Sequence, residues 1–334
     1  IQKVKECYAS TFTDRATYYR VKQGFDHMAV ALSAAIQMMV YSKAAGVMFT
    51  VDLVTGNDNN ILIEGAYGLG EYVVGGIVTP DNFRVDKTKM EITDRMINDK
   101  NIRLVRKADG DTVEEVVPEA EAKQQVISDA QVLELATYAK AIEKHYGCYM
   151  DMEWGVDERD GKLWILQARP ETVWSRKDKS EVVETTATTT DREIVVKGLP
   201  ASPGKAAGKA HVILDPADID SFQEGEILVT TMTAPDWVPV MKKAKAIVTD
   251  AGGMTCHASI VSRELGIPCI VGTKSRSQEA TVSIKDGQMI TVDASNGIVY
   301  DGILEDAVKA PEAPAAAQAT EYIPVTGTKI YMNL

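Results

Sequence analysis

His257 is one of four histidines in the 334-residue chain, and it follows a glycine pair in "AGGMTCHASIVSRELGIPCIVGT", residues 251–273. Gly252 and Gly253 allow a sharp turn after a strand ending at Asp250. His257 then falls in or just before the first turn of a helix. The apolar stripe of that helix is Ala258, Val261 and Leu265, and Gly266 with Pro268 stops it. A helix N-terminus offers free N–H groups and the positive end of the helix dipole, which suits an anion and disfavours imidazolium. A neutral imidazole is a nucleophile that needs no separate base, so His257 could accept a phosphoryl group there. The plainer alternative is an N-cap-region histidine satisfied by backbone contacts.

A second candidate is the stretch "YMDMEWGVDERDGKLWILQARPETVW", residues 149–174. It reads as two strands joined by a loop Arg159–Asp160–Gly161 with Gly161 left-handed. That register sets Glu153 opposite Gln167 and Asp151 opposite Arg169, all on one face. Met152, Trp154, Val156, Trp164, Leu166 and Ala168 take the other face. A carboxylate beside an amide oxygen suits Mg²⁺, and Arg169 could neutralise phosphate. From the pattern alone, a solvated hairpin face with a surface ion pair fits equally well.

The stretch around His257 resembles the phosphohistidine motif of the phosphoenolpyruvate-utilising enzymes, and "LPASPGKAAGKA" (199–210) resembles the opening of their swivelling domain. "DMEW" with "LWILQARP" is similar to the end of the family's ATP-grasp domain. "ECYASTFTDRATYYR" (6–20) and "EGAYGLGEYVVGGIVTPDNFRVDK" (64–87) also match family segments. The resemblance implies that His257 carries the phosphoryl group and that Thr255 is the threonine beside the carrier, in parts of the family a target of a regulatory kinase. It implies that Glu153 and Gln167 bind Mg²⁺ with ATP, that Arg169 contacts phosphate, and that Arg15 faces the nucleotide phosphates. Cys256 takes a position that is usually small and is expected to be structural. Gly68–Leu69–Gly70 is expected to pack rather than bind, since G-x-G alone is a weak phosphate signal.

The implied fold is α/β (mixed α+β). Residues 1–174 would be the C-terminal part of an ATP-grasp nucleotide-binding domain and 193–307 a swivelling β/β/α phosphohistidine domain. The stretch "SRELGIPCIVGT" and the direct junction of the two domains favour the branch that makes phosphoenolpyruvate from pyruvate, ATP and water, giving AMP and phosphate. The branch that uses inorganic phosphate and the one that phosphorylates an antibiotic are the alternatives inside the family. A non-catalytic phosphocarrier is the alternative outside it. The chain starts without Met and ends in a strand-like run, so it is expected to be a central piece of a longer, homo-oligomeric enzyme.

The elements that position these residues are legible in part. "DHMAVALSAAIQMMVYSKAAG" (26–46) is rich in helix formers and predicts a helix closing on Gly46. Met38, Met39 and Met48 are expected in the core. "VMFTVDL" and "NILIEGA" predict strands, and a helix is expected over 129–146. In the second block, strands are expected at "KAAGKAHVIL", "EILVTTM", "AIVTD" and "CIVGT", and a hairpin turns at Asn296–Gly297. Residues 175–192 and 308–322 have linker composition, and 323–334 would open a pyruvate-binding barrel. The second linker could extend to about 45 Å, at roughly 3.3 Å per residue.

The net charge of -12 and the absence of a basic cluster argue against nucleic acid as a partner. No stretch approaches the roughly 20 apolar residues of a membrane span. Four cysteines without paired spacing are expected as reduced thiols of a cytoplasmic protein.

Overall fold

The computed structural model describes residues 1–107, 110–171, 174 and 192–304, without the side chains of 15, 18, 19, 22, 23 and 235. The chain divides into a unit containing Ile1–Met39 and a second unit, Val40–Ala313. In the first, helices Gln2–Ala9 and Asp14–Gln23 flank a 3₁₀ turn. Thr13 caps the second helix by accepting the Ala16 N–H, and Gly24 ends it. Arg20 ties this unit together, donating to Thr11 O at 2.6 Å and to His27 Nδ1 at 3.0 Å.

The second unit begins with β1 (Ser42–Phe49), β2 (Asn60–Tyr67), β3 (Asp81–Asp86) and β4 (Glu91–Met96). A separate pair, β5 (Ile102–Arg106) and β6 (Thr112–Val116), follows, and then β7 (Met150–Asp157) and β8 (Leu163–Pro170). Six of these form an antiparallel sheet in the order β4-β3-β2-β1-β7-β8. β1 and β2 are buried almost throughout, as strands covered on both faces must be. One face is covered by the helix Asp129–Tyr146, whose Val132, Leu135, Ala136 and Ala139 pack on Met48, Ile61, Ile63 and Trp154. A capping box between Ser128 and Gln131 starts that helix at the position read from the sequence.

The later strands are β9 (Ile194–Lys197), β10 (Leu199–Ser202), β11 (Lys205–Val212), β12 (Ile227–Thr230), β13 (Ala246–Thr249), β14 (Cys269–Val271), β15 (Met289–Asp293) and β16 (Ile298–Asp301). They form an eight-stranded mixed sheet, β10-β14-β13-β12-β11-β15-β16-β9, whose β11 to β14 run parallel. The helix His257–Leu265 crosses from β13 to β14, so His257 sits beyond the end of a parallel strand. That is where α/β sheets place functional groups. One apolar cluster draws on both sheets, with Val47, Leu62 and Ala66 meeting Leu199, Ile247, Cys256 and Ala258.

The structure corrects the helix expected over 26–46. Residues 42–49 are strand β1, central in its sheet, and 30–41 contain no helix. Gly46 is a close-approach glycine instead of a helix stop: a Cβ there would lie 1.9 Å from Glu64 O on β2. Strand pairing on both sides outweighs the helix propensity of Ala and Met. As a result Met48 is in the core, whereas Met38 stays 86 % exposed in the irregular segment. The expected linker 175–192 lies outside the described residues except for its last residue. The stretches 308–322 and 323–334 lie wholly outside them. Among the described residues no helix is long and apolar enough to cross a membrane.

Candidate active site

Cys256 is the N-cap of the helix His257–Leu265 and makes no side-chain cap bond, so the first turn is not closed by a capping side chain. Gly266, at φ +68°, ends the helix as expected. His257 is half-buried, and its Nδ1 lies 2.9 Å from Thr233 Oγ1. The hydroxyl comes from the segment just after β12, which the parallel pairing of β12 and β13 brings beside the His257 turn. Cys256 is fully buried, with its Sγ 3.4 Å from Ser259 Oγ, and burial pushes its thiol pKa up. That is the behaviour of a structural cysteine.

Thr255 engages a carboxylate of the other sheet. Its Oγ1 donates to Glu64 Oε2 at 2.7 Å, and the Met254 N–H donates to Glu64 Oε1 at 2.7 Å. Glu64 comes from the middle of β2, in the other sheet, and is fully buried. Burial pushes its carboxyl up to about 7, against the opposing pull of the Thr255 and Met254 hydrogen bonds and the Arg263 charge. Arg263, on the His257 helix, donates from Nη2 to Met254 O and from Nε to Ser259 O.

In the β7–β8 hairpin Glu153 does face Gln167, and Asp151 faces Arg169. The route to that register differs from the expected one. The loop has four residues rather than three, because Val156 pairs with Leu163 and the Asp157 N–H donates to Lys162 O. A bulge between Glu153 and Trp154 then shifts the register back by one. The bulge also decides the faces of β8: Leu163, Ile165 and Ala168 pack on the core, while Trp164 is exposed. Gly161 adopts the left-handed conformation expected of it, φ +73°.

Arg169 pairs with Asp151 at 2.7 Å. Burial raises the pKa of Asp151 against the opposing charge of Arg169. Glu153 is half-buried, and desolvation, followed by the neighbouring charge of Asp151, raises its pKa too. Such a carboxylate gains from a cation placed beside it. Asp151 and Arg169 line a cleft of about 180 Å³ whose other wall includes Ile260, Arg263 and Glu264 of the His257 helix. The Asp151–Arg169 end of the hairpin and the His257 helix thus share one cleft, whose lining does not include Glu153, Gln167 or His257. Arg15 is the second residue of the helix Asp14–Gln23 in the first unit, and its side chain lies outside the described residues. The Gly68–Leu69–Gly70 turn is held by Lys43 O and Leu104 O, consistent with packing.

The sequence reading missed Glu64, Thr233 and Arg263. Glu64 alternates with Leu62 and Ala66 on the apolar face of β2, and a lone carboxylate in such a stripe is the signal that could have marked it. Thr233 carries no such signal, since its role rests on which loops the sheet brings together.

Residues 1–190 match the family described as pyruvate phosphate dikinase, AMP/ATP-binding domain, and residues 222–297 match the PEP-utilising enzyme mobile domain. Among curated relatives, the phosphoenolpyruvate synthase of Pyrococcus furiosus is 47% identical over 100% of this chain and 41% of its own length. A probable phosphoenolpyruvate synthase of Archaeoglobus fulgidus is 46% identical over 100% of this chain and 42% of its own. The phosphoenolpyruvate synthase of Neisseria meningitidis serogroup B is 42% identical over 100% and 43%. The chain thus spans about two fifths of the length of these relatives. With its matched residues holding β1–β8 and the hairpin that lines the cleft, the chain belongs to the family of the pyruvate phosphate dikinase AMP/ATP-binding domain.

Proposed function

We propose that this chain is the central part of a phosphoenolpyruvate synthase, in which His257 accepts phosphate from ATP and passes it to pyruvate. The observation that carries the reading is His257 at an uncapped helix start, with Nδ1 engaged by Thr233 and its helix walling the cleft that holds Arg169. Residues 1–174 are assigned as the C-terminal part of an ATP-grasp domain and 193–307 as a swivelling phosphohistidine domain, in a cytoplasmic, homo-oligomeric enzyme.

In the Nδ1–H tautomer His257 donates to Thr233 Oγ1 and keeps its lone pair on Nε2. Nε2 attacks the β-phosphorus of ATP, the bond to the α-phosphate oxygen breaks, and AMP leaves. Water then takes the γ-phosphoryl group as inorganic phosphate, and the remaining phosphoryl group passes from His257 to the enolate oxygen of pyruvate. Arg169 supplies charge against the phosphates, and Arg15 is assigned to them as well. Glu153 and Gln167 fit Mg²⁺, being hard oxygen donors opposed across two strands. They would hold the ion, which when bound neutralises phosphate charge. Thr255 is 3 % exposed, so a regulatory kinase would reach it only after the loop leaves Glu64.

The test uses the parent enzyme and ATP labelled at the β position. Acid-labile, base-stable label at His257 together with phosphoenolpyruvate formation supports the reading. Label retained in His257→Ala sinks it.

A further inference from the structure

Glu64 stands where an apolar residue belongs. Its neighbours on the same face of β2, Leu62 and Ala66, lie in the cluster shared with Met254 and Cys256. A carboxylate buried there is costly unless both oxygens are bonded and a positive charge is near. Both conditions hold: Oε1 accepts the Met254 N–H, Oε2 accepts the Thr255 hydroxyl, and Arg263 lies close enough to act on its charge. Arg263 also donates to Met254 O, so the Met254 backbone is gripped on its N–H by the sheet and on its C=O by the helix.

The glycine before it fits the same geometry. A Cβ on Gly253 would lie 2.7 Å from Pro80 and 3.0 Å from Glu64 Oε1. The φ of Gly253 is not in the left-handed region, so what glycine supplies there is space for the loop to reach Glu64. The turn after the short helix Glu71–Val74 gives way too, since a Cβ on Gly76 would lie 2.6 Å from that of Cys256.

We infer that Glu64 is a positioning residue for the carrier loop, holding Met254 and Thr255 against the nucleotide-side sheet so that His257, next in the chain after Cys256, is presented there. The inference rests on the reading of His257 as carrier. Glu64 touches no reacting atom. It acts by fixing the loop in the position for transfer from ATP, and it has no part in transfer at a distant pyruvate site.

The experiment measures amide hydrogen exchange of the present chain, and the two half-reactions of the parent enzyme, for Glu64→Ala and Glu64→Gln. Glu64→Ala is expected to speed exchange at Met254 at least tenfold while β13, residues 246–249, stays at the wild-type rate. Glu64→Gln keeps the acceptor for the Met254 N–H and should hold Met254 within about threefold of wild type. In the parent enzyme Glu64→Ala should slow loading of His257 from ATP at least thirtyfold, and loading from phosphoenolpyruvate by less than threefold. Unchanged exchange at Met254, or acceleration that is equal in β13, overturns the inference, as does equal loss of both half-reactions. If the exchange result holds but wild-type His257 takes no phosphoryl group, the functional reading falls while the hold of Glu64 on the loop stands.

Discussion

Thr233 Oγ1 lies 2.9 Å from Nδ1 of His257. The contact joins the segment after β12 to the first turn of the helix that follows β13, and it engages Nδ1 of the ring. If Nδ1 keeps its proton to donate to the hydroxyl, the nucleophile is Nε2.

The phosphoryl group should therefore sit on Nε2 of His257. Phosphorus and nitrogen NMR of the parent enzyme loaded from ATP distinguishes the two phosphohistidine isomers. Thr233→Val should slow loading about tenfold or more by releasing the ring, with the isomer unchanged in what label forms. Phosphate on Nδ1 would refute the assignment.

Glu153→Ala and Gln167→Ala should each reduce Mg-ATP-dependent phosphorylation of His257 by about a hundredfold or more, because alignment of metal and phosphate supplies most of this catalysis. Loading from phosphoenolpyruvate in the parent enzyme should survive both changes. Equal loss in both directions would identify the pair as a structural feature of the hairpin.

Stability should carry the signature of Glu64. Its carboxyl is raised from 4.5 to about 7 by burial, so the folded state binds a proton that the unfolded state releases. Its stabilising contribution is complete below about 4.5 and is lost as pH rises towards 7, then levels off. Urea titrations of wild type and Glu64→Gln from pH 5 to 8 should show wild type losing ground to the variant across that interval. A constant difference between the two would contradict a raised carboxyl.

Gly253→Ala places a methyl group 2.7 Å from Pro80. Overpacking of this kind costs about 1–3 kcal/mol, and here the strain falls on the loop that carries His257. Denaturant midpoints should fall, and the ATP half-reaction should fall further than stability alone explains. A fully active, equally stable variant would show that the loop has room.

Lys100 and Asp81 form a fully buried ion pair at 2.6 Å, and Lys100 also donates to Asn98 O at 2.7 Å. Lys100→Met leaves Asp81 charged and buried, which should cost about 3–5 kcal/mol in chemical denaturation. Asp81→Asn in the same chain should restore most of that loss. No recovery would mean that the lysine packs rather than neutralises.

The sequence by itself determined what depends on near neighbours. The helix 257–265 and its glycine stop, the capped helix 129–146, and the strands β2, β7, β8, β11 and β13 follow from local pattern, and the structure has them. The pairing of Glu153 with Gln167 was legible as well, although a longer loop and a compensating bulge deliver it. What the sequence left undecided needs contacts between distant segments. Residues 42–46 read as helix because they close a run of Ala and Met, and only their place between β2 and β7 makes them strand. Thr255 was singled out by the family resemblance, but its hydrogen-bond partner lies 191 positions away in the chain. Glu64 and Thr233 reach the His257 loop because one apolar cluster joins the two sheets and parallel strands align their ends. No local spacing encodes that, so only the tertiary structure could assign them.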